Sequence, residues 1–482
     1  MRAVSDAPVR PEDDFVLYVM AAFRRTGWNF ALQRAADRAR ELGKPLVVLE
    51  PLLCGHRWDN DRRHSFILQG MAENARAFAK SPAAYCPLVE TSGGEVARAA
   101  ARLAARACLV VTDDYPTAGV PELSAAVAEA APVLVEAVDS NGLLPLLAAT
   151  RVYPTAYSFR RFLQEELPRH LRETPAKRPF AGRKLPPAPH PAPEDERHFA
   201  STRDALVGGR FAELVAAAPI DHGVAPARLV GGSGPARARL SEFVEYGLPR
   251  YARKHNHPDA RATSRLSPYL ACGHISAHEV FEAVAEAEGW SPDSLARKAT
   301  GRREGWWGMS ENAEAFLDEL VTWRELGFNM CSRRDDYADY DSLPFWARKT
   351  LEEHAPGPRE YVYSLDELEA AATHDELWNA CQRELLEEGR IHNYLRMLWG
   401  KKILEWSRTP ADALRAMIEL NNRYALDGRN PNSYTGIFWV LGRYDRPWGP
   451  ERPIYGKVRY MASESARRKL HLREYLERYG RG

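Results

Sequence analysis

The chain has 482 residues, of which 45% are hydrophobic and 27% are charged, which is typical of a globular protein with two folded domains. Its formal net charge of +1 gives no overall attraction to nucleic acid, and no apolar run is long enough to predict a membrane-spanning helix. The first residues also lack the apolar core of a signal peptide, so we expect a cytoplasmic protein that does not enter the membrane.

The first 172 residues alternate between short apolar stretches and amphipathic stretches. The first kind predicts buried strands and the second predicts helices, which together indicate an α/β domain with a Rossmann-like parallel sheet. No GxGxxG motif follows the first strand, so the dinucleotide-binding fingerprint is absent from this position. Strands are predicted at residues 15–20, 45–50, 85–90, 108–112 and 133–138.

Residues 173–201 are rich in proline and predict an extended connector with little core. From residue 202 to residue 482, apolar residues recur at helical spacing, which predicts an all-α domain. The longest of these patterns runs from residue 375 to residue 406. The six cysteines of the chain lie far apart without a CxxC pair, so no metal site and no disulfide framework is predicted.

Basic and aromatic residues are interleaved near the C-terminal end of the helical domain. Between Arg429 and Arg473, ten arginine and lysine residues stand against three acidic residues. A basic surface next to aromatic side chains is typical of a groove that follows a phosphate backbone. The alternative is a basic face that is only solvated.

Two tryptophans of the 375–406 pattern, Trp399 and Trp406, are seven residues apart. On a helix they would return to nearly the same face, about 10 Å apart along the axis. Such a stripe is compatible with core packing and with the relay of an electron between aromatic rings.

Three further patterns carry chemistry, and each has a structural alternative. A set of hydroxyl groups and one cation precedes Pro268, and at a helix start it can bind a pyrophosphate or simply cap the helix. Arg396 and Asp427 can fix an anionic ligand or form a surface ion pair. Glu319 stands beside Asp318 and Glu325 in a helical pattern, where an acid is ordinarily a helix-surface residue unless burial raises its pKa.

Several stretches of the sequence resemble the photolyase/cryptochrome family, and most closely its class II cyclobutane-dimer photolyases. The resemblance covers most of the chain and is weakest at the N-terminal end. It rests on independent stretches in the family's order, namely SRLSPYLACGHISA (264–277), SLPFWARKTLEEH (342–354), LWNA (377–380), GRIHNYLRM (389–397), WGKKILEW (399–406), LNNRYALDGRNPN (420–432) and ERPIYGKVRYM (451–461).

The resemblance implies a helical FAD-binding domain at residues 202–482. The α/β domain at residues 1–172 holds an antenna pigment of the deazaflavin or folate type in many family members. FAD in its reduced, anionic form would be the active cofactor, with Arg396 and Asp427 beside its isoalloxazine ring and Asn421 at the N5 edge. The residues expected to hold the rest of FAD are Tyr251, Thr263, Ser264, Arg265, Leu266 and Ser267.

The resemblance also implies a monomeric, light-dependent lyase that acts on UV-damaged DNA. Reduced FAD would transfer an electron to a flipped-out cyclobutane pyrimidine dimer and split it into monomers. The expected catalytic residues are Glu319, Asn421 and the electron relay of Trp378, Trp399 and Trp406, with Tyr363 as a side branch. The expected substrate and DNA residues are Glu319, Trp323, Met397, Trp439, Arg429, Asp445, Arg446 and Trp448.

The chain departs from the family pattern near Asp445. Tyr444 stands where the family usually has histidine, and the loop from Trp439 is one residue shorter. Ser433 and Asn430 stand where glycine and aspartate are usual. The alternatives are a blue-light sensor that signals to a protein partner, a photolyase for (6-4) lesions, whose chemistry usually calls on histidines, and a flavoprotein without light chemistry.

Overall fold

A computed structural model describes residues 1–182, 184–188 and 193–480 of the chain. It divides into two compact units, each made of several chain segments. Unit 1 contains Met1–Leu146, His170–Arg239 and Leu266–Glu282, and unit 2 contains Leu147–Arg169, Leu240–Arg265 and Ala283–Gly482. The predicted domain limits follow the chain, whereas these units are interleaved along it, so the division at residues 172 and 202 stays a prediction.

One mixed sheet organises unit 1. Its strands are β1 (Arg2–Ala3), β2 (Phe15–Val19), β3 (Leu46–Leu52), β4 (Ala84–Val89), β5 (Ala107–Asp113) and β6 (Val135–Val138). They lie in the order β1-β6-β5-β2-β3-β4, and every pair is parallel except the antiparallel pair of β1 and β6. Every residue of β2, β3 and β5 is buried, which explains why mostly apolar stretches encode them. The predicted α/β fold class is confirmed.

Several helices of the chain begin or end at ordinary capping signals. In α1, for example, the Asn29 side chain accepts hydrogen bonds from the first turn, and Gly43 ends the helix with a φ of 65°. The first ten helices are α1 (Phe30–Leu42), α2 (Asp61–Phe78), α3 (Glu95–Ala104), α4 (Val120–Ala130), α5 (Ala156–Glu166), α6 (Pro193–Val207), α7 (Phe211–Ala216), α8 (Ser233–Glu242), α9 (Tyr251–Lys254) and α10 (Ser267–Ala271). Helices α1 to α4 connect the parallel strands and pack against them.

The remaining helices build the all-α part of the chain, as predicted. They are α11 (Ala277–Ala287), α12 (Glu311–Leu317), α13 (Arg324–Arg333), α14 (Phe345–His354), α15 (Leu365–Glu369), α16 (Glu376–Glu388), α17 (Asn393–Trp406), α18 (Pro410–Tyr424), α19 (Pro431–Val440), α20 (Ser463–Lys469) and α21 (Arg473–Tyr479). Two π-helical segments, Phe243–Gly247 and Asp318–Trp323, interrupt the α-helical geometry. Within the described ranges, no helix joins the length and the apolar character that a membrane crossing requires.

The proline-rich segment is less extended than predicted. From Pro193 onward its residues belong to α6, and Phe199 is fully buried. Proline is well tolerated at the first position of a helix, since its missing N–H has no intrahelical partner there. Proline content alone was therefore a poor guide to extended structure. Residues 183 and 189–192 of the predicted connector lie outside the described residues.

The pattern at residues 375–406 forms two helices rather than one. Gly389 ends α16 with a φ of 69°, in the left-handed region that favours glycine. The chain then turns, and α17 begins at Asn393. Trp378 is therefore on a different helix from Trp399 and Trp406.

A close helix contact in unit 2 depends on glycine. A Cβ atom at Gly327 of α13 would lie 2.3 Å from Thr435 Oγ1 and 2.7 Å from the Pro431 carbonyl oxygen. Both of these residues belong to α19, so only a glycine lets the two backbones approach this closely. The contact fixes α19, which carries Ser433 and Trp439.

Candidate functional site

A shielded ion pair joins α17 to the loop after α18. Nη2 of Arg396 lies 3.1 Å from Oδ1 and 3.2 Å from Oδ2 of Asp427, and the two side chains are 17% and 6% exposed. The pair is therefore not the surface salt bridge that was the alternative. Nε and Nη1 of Arg396 have no hydrogen-bond partner among the described residues, so the guanidinium keeps donors for another anion.

Asn421 lies beside this pair, near the end of α18, and is only 3% exposed. Its Nδ2 donates to Oδ1 of Asn422 and to Oγ of Ser433, each at 3.2 Å. Ser433 in turn donates its hydroxyl proton to the Asp427 carbonyl oxygen at 2.7 Å. Oδ1 of Asn422 accepts the backbone N–H of Arg429 at 2.9 Å.

This network fixes the orientation of the Asn421 amide. Both neighbours act as acceptors, so the amide must turn its NH₂ group towards them. Oδ1 of Asn421 then points elsewhere, and no donor within the described part of the chain reaches it. The arrangement presents the Asn421 oxygen as an oriented acceptor close to the shielded Arg396 cation. Ser433 connects Asn421 to the loop that carries Asp427.

Tyr251 belongs to a second group of predicted cofactor residues. This tyrosine is buried and stacks on His255 with ring centroids 4.7 Å apart. Burial raises the pKa of Tyr251, and the charge of Glu319 raises it further. Burial lowers the pKa of His392 to about 3, with further contributions from the charges of Arg390 and Arg265. These shifts place Arg265 near the start of α17 and Tyr251 near Glu319.

Glu319 and Trp323 lie on the π-helical segment between α12 and α13, a geometry that often occurs at functional sites. Arg160 holds the neighbouring Asp318 through two hydrogen bonds of 2.7 and 3.0 Å. Burial, followed by the charge of Asp318, raises the pKa of Glu319 to about 7. At neutral pH this carboxyl group can therefore carry a proton and donate a hydrogen bond.

Glu319→Gln is expected to weaken the pH dependence of stability. In the folded protein the pKa of Glu319 is about 7 instead of the ordinary 4.5, so the carboxyl group keeps its proton to a higher pH. Because the unfolded chain loses this proton first, the stability of the unchanged protein falls as pH rises through this window and then levels off. Urea unfolding gives the fall in the free energy of unfolding from pH 5 to pH 8. This fall should be smaller in the variant by on the order of 2 kcal/mol. The same difference in both proteins would contradict the raised pKa.

The three tryptophans of the expected relay are buried, each at most 2% exposed. Trp378 contacts both others: its Nε1 donates to the Trp399 carbonyl oxygen at 3.0 Å, and its ring lies 5.4 Å from the ring of Trp406. Nε1 of Trp399 donates to Oε1 of Gln382 at 2.9 Å. The contacts run between α16 and α17 rather than along one helix face. This packing suits a core and a relay alike, so the relay stays a prediction.

Asp445 organises the loop that departs from the family pattern. Its Oδ1 accepts hydrogen bonds from Nε1 of Trp448 at 3.1 Å and from the backbone of Arg446 at 2.9 Å, and its Oδ2 lies 3.3 Å from Nε of Arg459. The guanidinium groups of Arg446 and Arg459 lie 4.3 and 4.1 Å from the Trp448 ring centroid. Basic and aromatic side chains are therefore interleaved in space, as a stacking surface for nucleic acid requires.

Other predicted residues lie in places that the sequence did not indicate. Arg429, expected at DNA, is only 7% exposed, and its backbone has a φ of 64°. Leu266 and Ser267 belong to unit 1, while Thr263, Ser264 and Arg265 belong to unit 2. Met397 follows Arg396 on α17, and its methyl group faces Gly436 of α19. The roles of these residues stay predictions.

The sequence analysis missed two buried basic residues, Lys401 and His392. Lys401 of α17 is fully buried: its Nζ donates to the Val440 carbonyl oxygen at 2.5 Å and lies 5.1 Å from the Trp439 ring centroid. Burial lowers the pKa of Lys401 to about 7. A lysine inside an apolar helical stretch was the available signal, but spacing alone does not tell a buried lysine from one that reaches solvent.

The chain is similar to several known proteins, although no protein-family model matches it. A deoxyribodipyrimidine photo-lyase from Methanothermobacter thermautotrophicus is 35% identical over 96% of this chain and 94% of its own length. A deoxyribodipyrimidine photo-lyase from Oryza sativa subsp. japonica is 33% identical over 96% of this chain and 86% of its own length. The crystal structure of a class III photolyase from Agrobacterium tumefaciens matches with a TM-score of 0.61 at 17% identity, over 91% of this chain and 82% of that one, which shows the fold.

Proposed function

The chain belongs to the photolyase/cryptochrome family, and from this membership we propose that it repairs cyclobutane pyrimidine dimers in DNA as a class II enzyme. The general activity that the membership carries is light-dependent DNA repair by a lyase that uses FAD. The choice of lesion, the class and the electron path are our proposal.

The side chains around Arg396 fit a bound flavin. When bound, FAD supplies the light absorption and the redox chemistry of the reaction. Arg396 offers a shielded positive charge with free donors, which favours an anionic ring, and Asp427 holds that charge in position. Asn421 offers an acceptor of fixed orientation, which suits an N–H group at the ring edge. In this proposal Tyr251, Thr263, Ser264 and Arg265, all of unit 2, hold the rest of the cofactor.

The proposed lesion pocket uses Glu319, Trp323, Met397 and Trp439. Glu319 donates a hydrogen bond to a carbonyl oxygen of the damaged base, as its raised pKa permits. The two tryptophans, both partly exposed, offer flat walls to a pyrimidine dimer that has left the stack. A cyclobutane dimer stacks poorly in the duplex, so its extrusion costs less than that of intact bases, which adds selectivity.

The loop around Asp445 is the proposed duplex contact. Asp445 accepts hydrogen bonds from the backbone N–H of Arg446 and from Nε1 of Trp448. It thereby fixes a segment that can present a cation and an aromatic face together where the dimer has left the helix. Tyr444 is 5% exposed, and burial raises the pKa of its hydroxyl group. This neutral side chain replaces the usual histidine, which argues against the acid–base chemistry of (6-4) repair.

The observation that carries the proposal is the oriented Asn421 acceptor beside the Arg396–Asp427 pair. Both N–H groups of the Asn421 amide are used by its neighbours, so its oxygen is the atom left to accept a hydrogen bond from a ligand. A ligand with an N–H group and a delocalised negative charge satisfies both features. The proposal also takes the protein to be a monomer. A deazaflavin or folate antenna is a separate proposal, and no step of the repair depends on it.

Chemically reduced protein tests the proposed lesion directly. It is mixed with one duplex that carries a cyclobutane thymine dimer and with another that carries a (6-4) product, and restored thymines are counted under blue light and in darkness. We expect light-dependent restoration of the first duplex alone. Restoration of the (6-4) duplex would overturn the lesion assignment. Failure on both duplexes, with flavin bound and photoreducible, would instead favour a light sensor.

A further inference from the structure

A compact aromatic cluster surrounds Trp406, one of the three residues of the proposed relay. The ring of Trp406 lies 5.3 Å from the ring of Tyr363 and 5.3 Å from the ring of His374, as well as 5.4 Å from Trp378. Tyr361 stacks on His374 with ring centroids 3.7 Å apart and an interplanar angle of 19°. The cluster lies within unit 2, and the backbone N–H of Tyr363 bonds to the Trp406 carbonyl oxygen.

The hydrogen bonds of Tyr363 have a defined direction. Its hydroxyl oxygen accepts the backbone N–H of His374 at 3.0 Å and lies 2.6 Å from Nδ1 of the same histidine. Because the oxygen already accepts one hydrogen bond, the phenol and Nδ1 are both satisfied when the phenol O–H donates a hydrogen bond to Nδ1. His374 is then the neutral tautomer that carries its proton on Nε2.

The exposure of these residues rises along the cluster. Trp378 and Trp406 are 0% and 2% exposed, Tyr363 is partly exposed, and His374 is exposed. A buried tryptophan that has lost an electron has no water to stabilise its positive charge, whereas His374 can pass a proton to solvent. The histidine is held in place because the next residue, Asp375, caps α16.

We propose that Tyr363 and His374 form a proton-coupled electron donor that ends the tryptophan relay, with His374 as the positioning residue that accepts the proton. This inference rests on the proposed relay of Trp378, Trp399 and Trp406. The Trp406 radical cation takes one electron from Tyr363, while the phenolic proton of Tyr363 moves along the hydrogen bond to Nδ1 of His374. The products are neutral Trp406, a Tyr363 phenoxyl radical and a His374 imidazolium, so charge and atoms balance.

The proton acceptor is what makes this step favourable. A phenol that loses an electron becomes a very strong acid, and without an acceptor it would have to lose its proton to water during the transfer. A base at 2.6 Å removes that barrier in the way a positioned general base does. The radical then lies outside the buried tryptophans, where external reductants reach it. Return of the electron from the flavin to the radical is slowed.

The test uses flash photolysis of the purified protein with oxidised FAD bound. Tryptophan and tyrosyl radicals are followed by transient absorption in the unchanged protein and in His374→Phe, His374→Gln and Tyr363→Phe. Tyr361→Phe is the matched control, because this ring stacks on His374 without taking the phenolic proton. Ultraviolet resonance Raman spectra of the dark proteins report the Tyr363 hydrogen bond independently of light chemistry.

In the unchanged protein and in Tyr361→Phe, the tryptophan radical should pass to tyrosine, and the rate should fall in D₂O. In His374→Phe and His374→Gln the conversion should slow by at least about tenfold, as expected for loss of a general base, and His374→Phe should lose the Raman signature of a donating phenol. If the tryptophan radical passed to tyrosine equally fast in the unchanged protein and in His374→Phe, this inference would be overturned while the relay would stand. Absence of any tryptophan radical in the unchanged protein would overturn the relay and the inference together, while the lesion assay still decides the repair function.

Discussion

Asp427→Ala is expected to lower the free energy of unfolding by about 3 kcal/mol, because it leaves the Arg396 guanidinium shielded from water without its partner. The pair is formed at 3.1 Å, with 17% and 6% of the two side chains exposed. Flavin affinity should fall by at least about tenfold, or about 1.4 kcal/mol, since Arg396 is no longer held in place. Denaturant unfolding gives the first quantity, and the ratio of flavin to protein absorbance after gel filtration gives the second.

Two further variants separate charge from a general mutational effect. Glu353→Ala breaks an exposed pair with Lys349, at 3.9 Å and with 60% and 57% of the side chains exposed, so it should cost less than about 0.5 kcal/mol and keep the flavin. Asp427→Asn keeps a carbonyl acceptor for Arg396 but removes the charge, so we expect a loss between the other two. If Asp427→Ala matched Glu353→Ala in both measurements, Arg396 and Asp427 would not form the flavin site.

The fold followed from the sequence wherever one physical signal was strong. Strands β2, β3 and β5 are buried throughout, and short, mostly apolar stretches such as Leu46–Leu52 encode them. Such stretches are too short for a typical helix, so their length predicted strands. The edge strand Arg2–Ala3 was missed because two exposed residues carry no apolar signal and are defined only by their pairing with β6. The helix from Pro193 was missed because proline content was taken as evidence of extended chain, although proline starts helices well.

The site was predicted by residue identity but not by geometry. Arg396 and Asp427 were paired on resemblance, while their shielding and their distance depend on how α17 and α18 pack. The part of Ser433 could not be read from the sequence. It appears only when the chain folds, because its hydroxyl group bridges Asn421 and the Asp427 carbonyl oxygen. A departure from the family pattern thus occurs in direct contact with the proposed flavin acceptor.

The relay shows the same limit. Seven-residue spacing placed Trp399 and Trp406 on one face, yet the contact of Trp406 is with Trp378 on the neighbouring helix. The turn at Gly389 made this possible, and helical periodicity alone could not reveal it because apolar spacing continues on both sides of the turn.

Trp399→Phe is expected to slow photoreduction of oxidised flavin by at least about tenfold, which corresponds to about 1.4 kcal/mol of activation free energy. Nε1 of Trp378 donates to the backbone carbonyl oxygen of Trp399, and the Trp399 indole donates from its own Nε1 to Oε1 of Gln382. Phenylalanine is harder to oxidise than tryptophan, so one member of the proposed relay is lost. Steady illumination with an external reductant, followed by flavin absorbance, measures the rate.

The decisive comparison for Trp399→Phe is between two starting states of one protein. Protein that is reduced chemically does not need the relay, so its repair of a cyclobutane dimer should match that of the unchanged protein, whereas repair from oxidised flavin should fall with photoreduction. Trp306→Phe is the control, since it removes another buried indole, 4% exposed, that packs on Trp307 and takes no part in the relay contacts. If Trp399→Phe lost photoreduction and repair by chemically reduced protein to the same extent, Trp399 would be a packing residue. The tryptophan contacts between α16 and α17 would then serve only to pack the core.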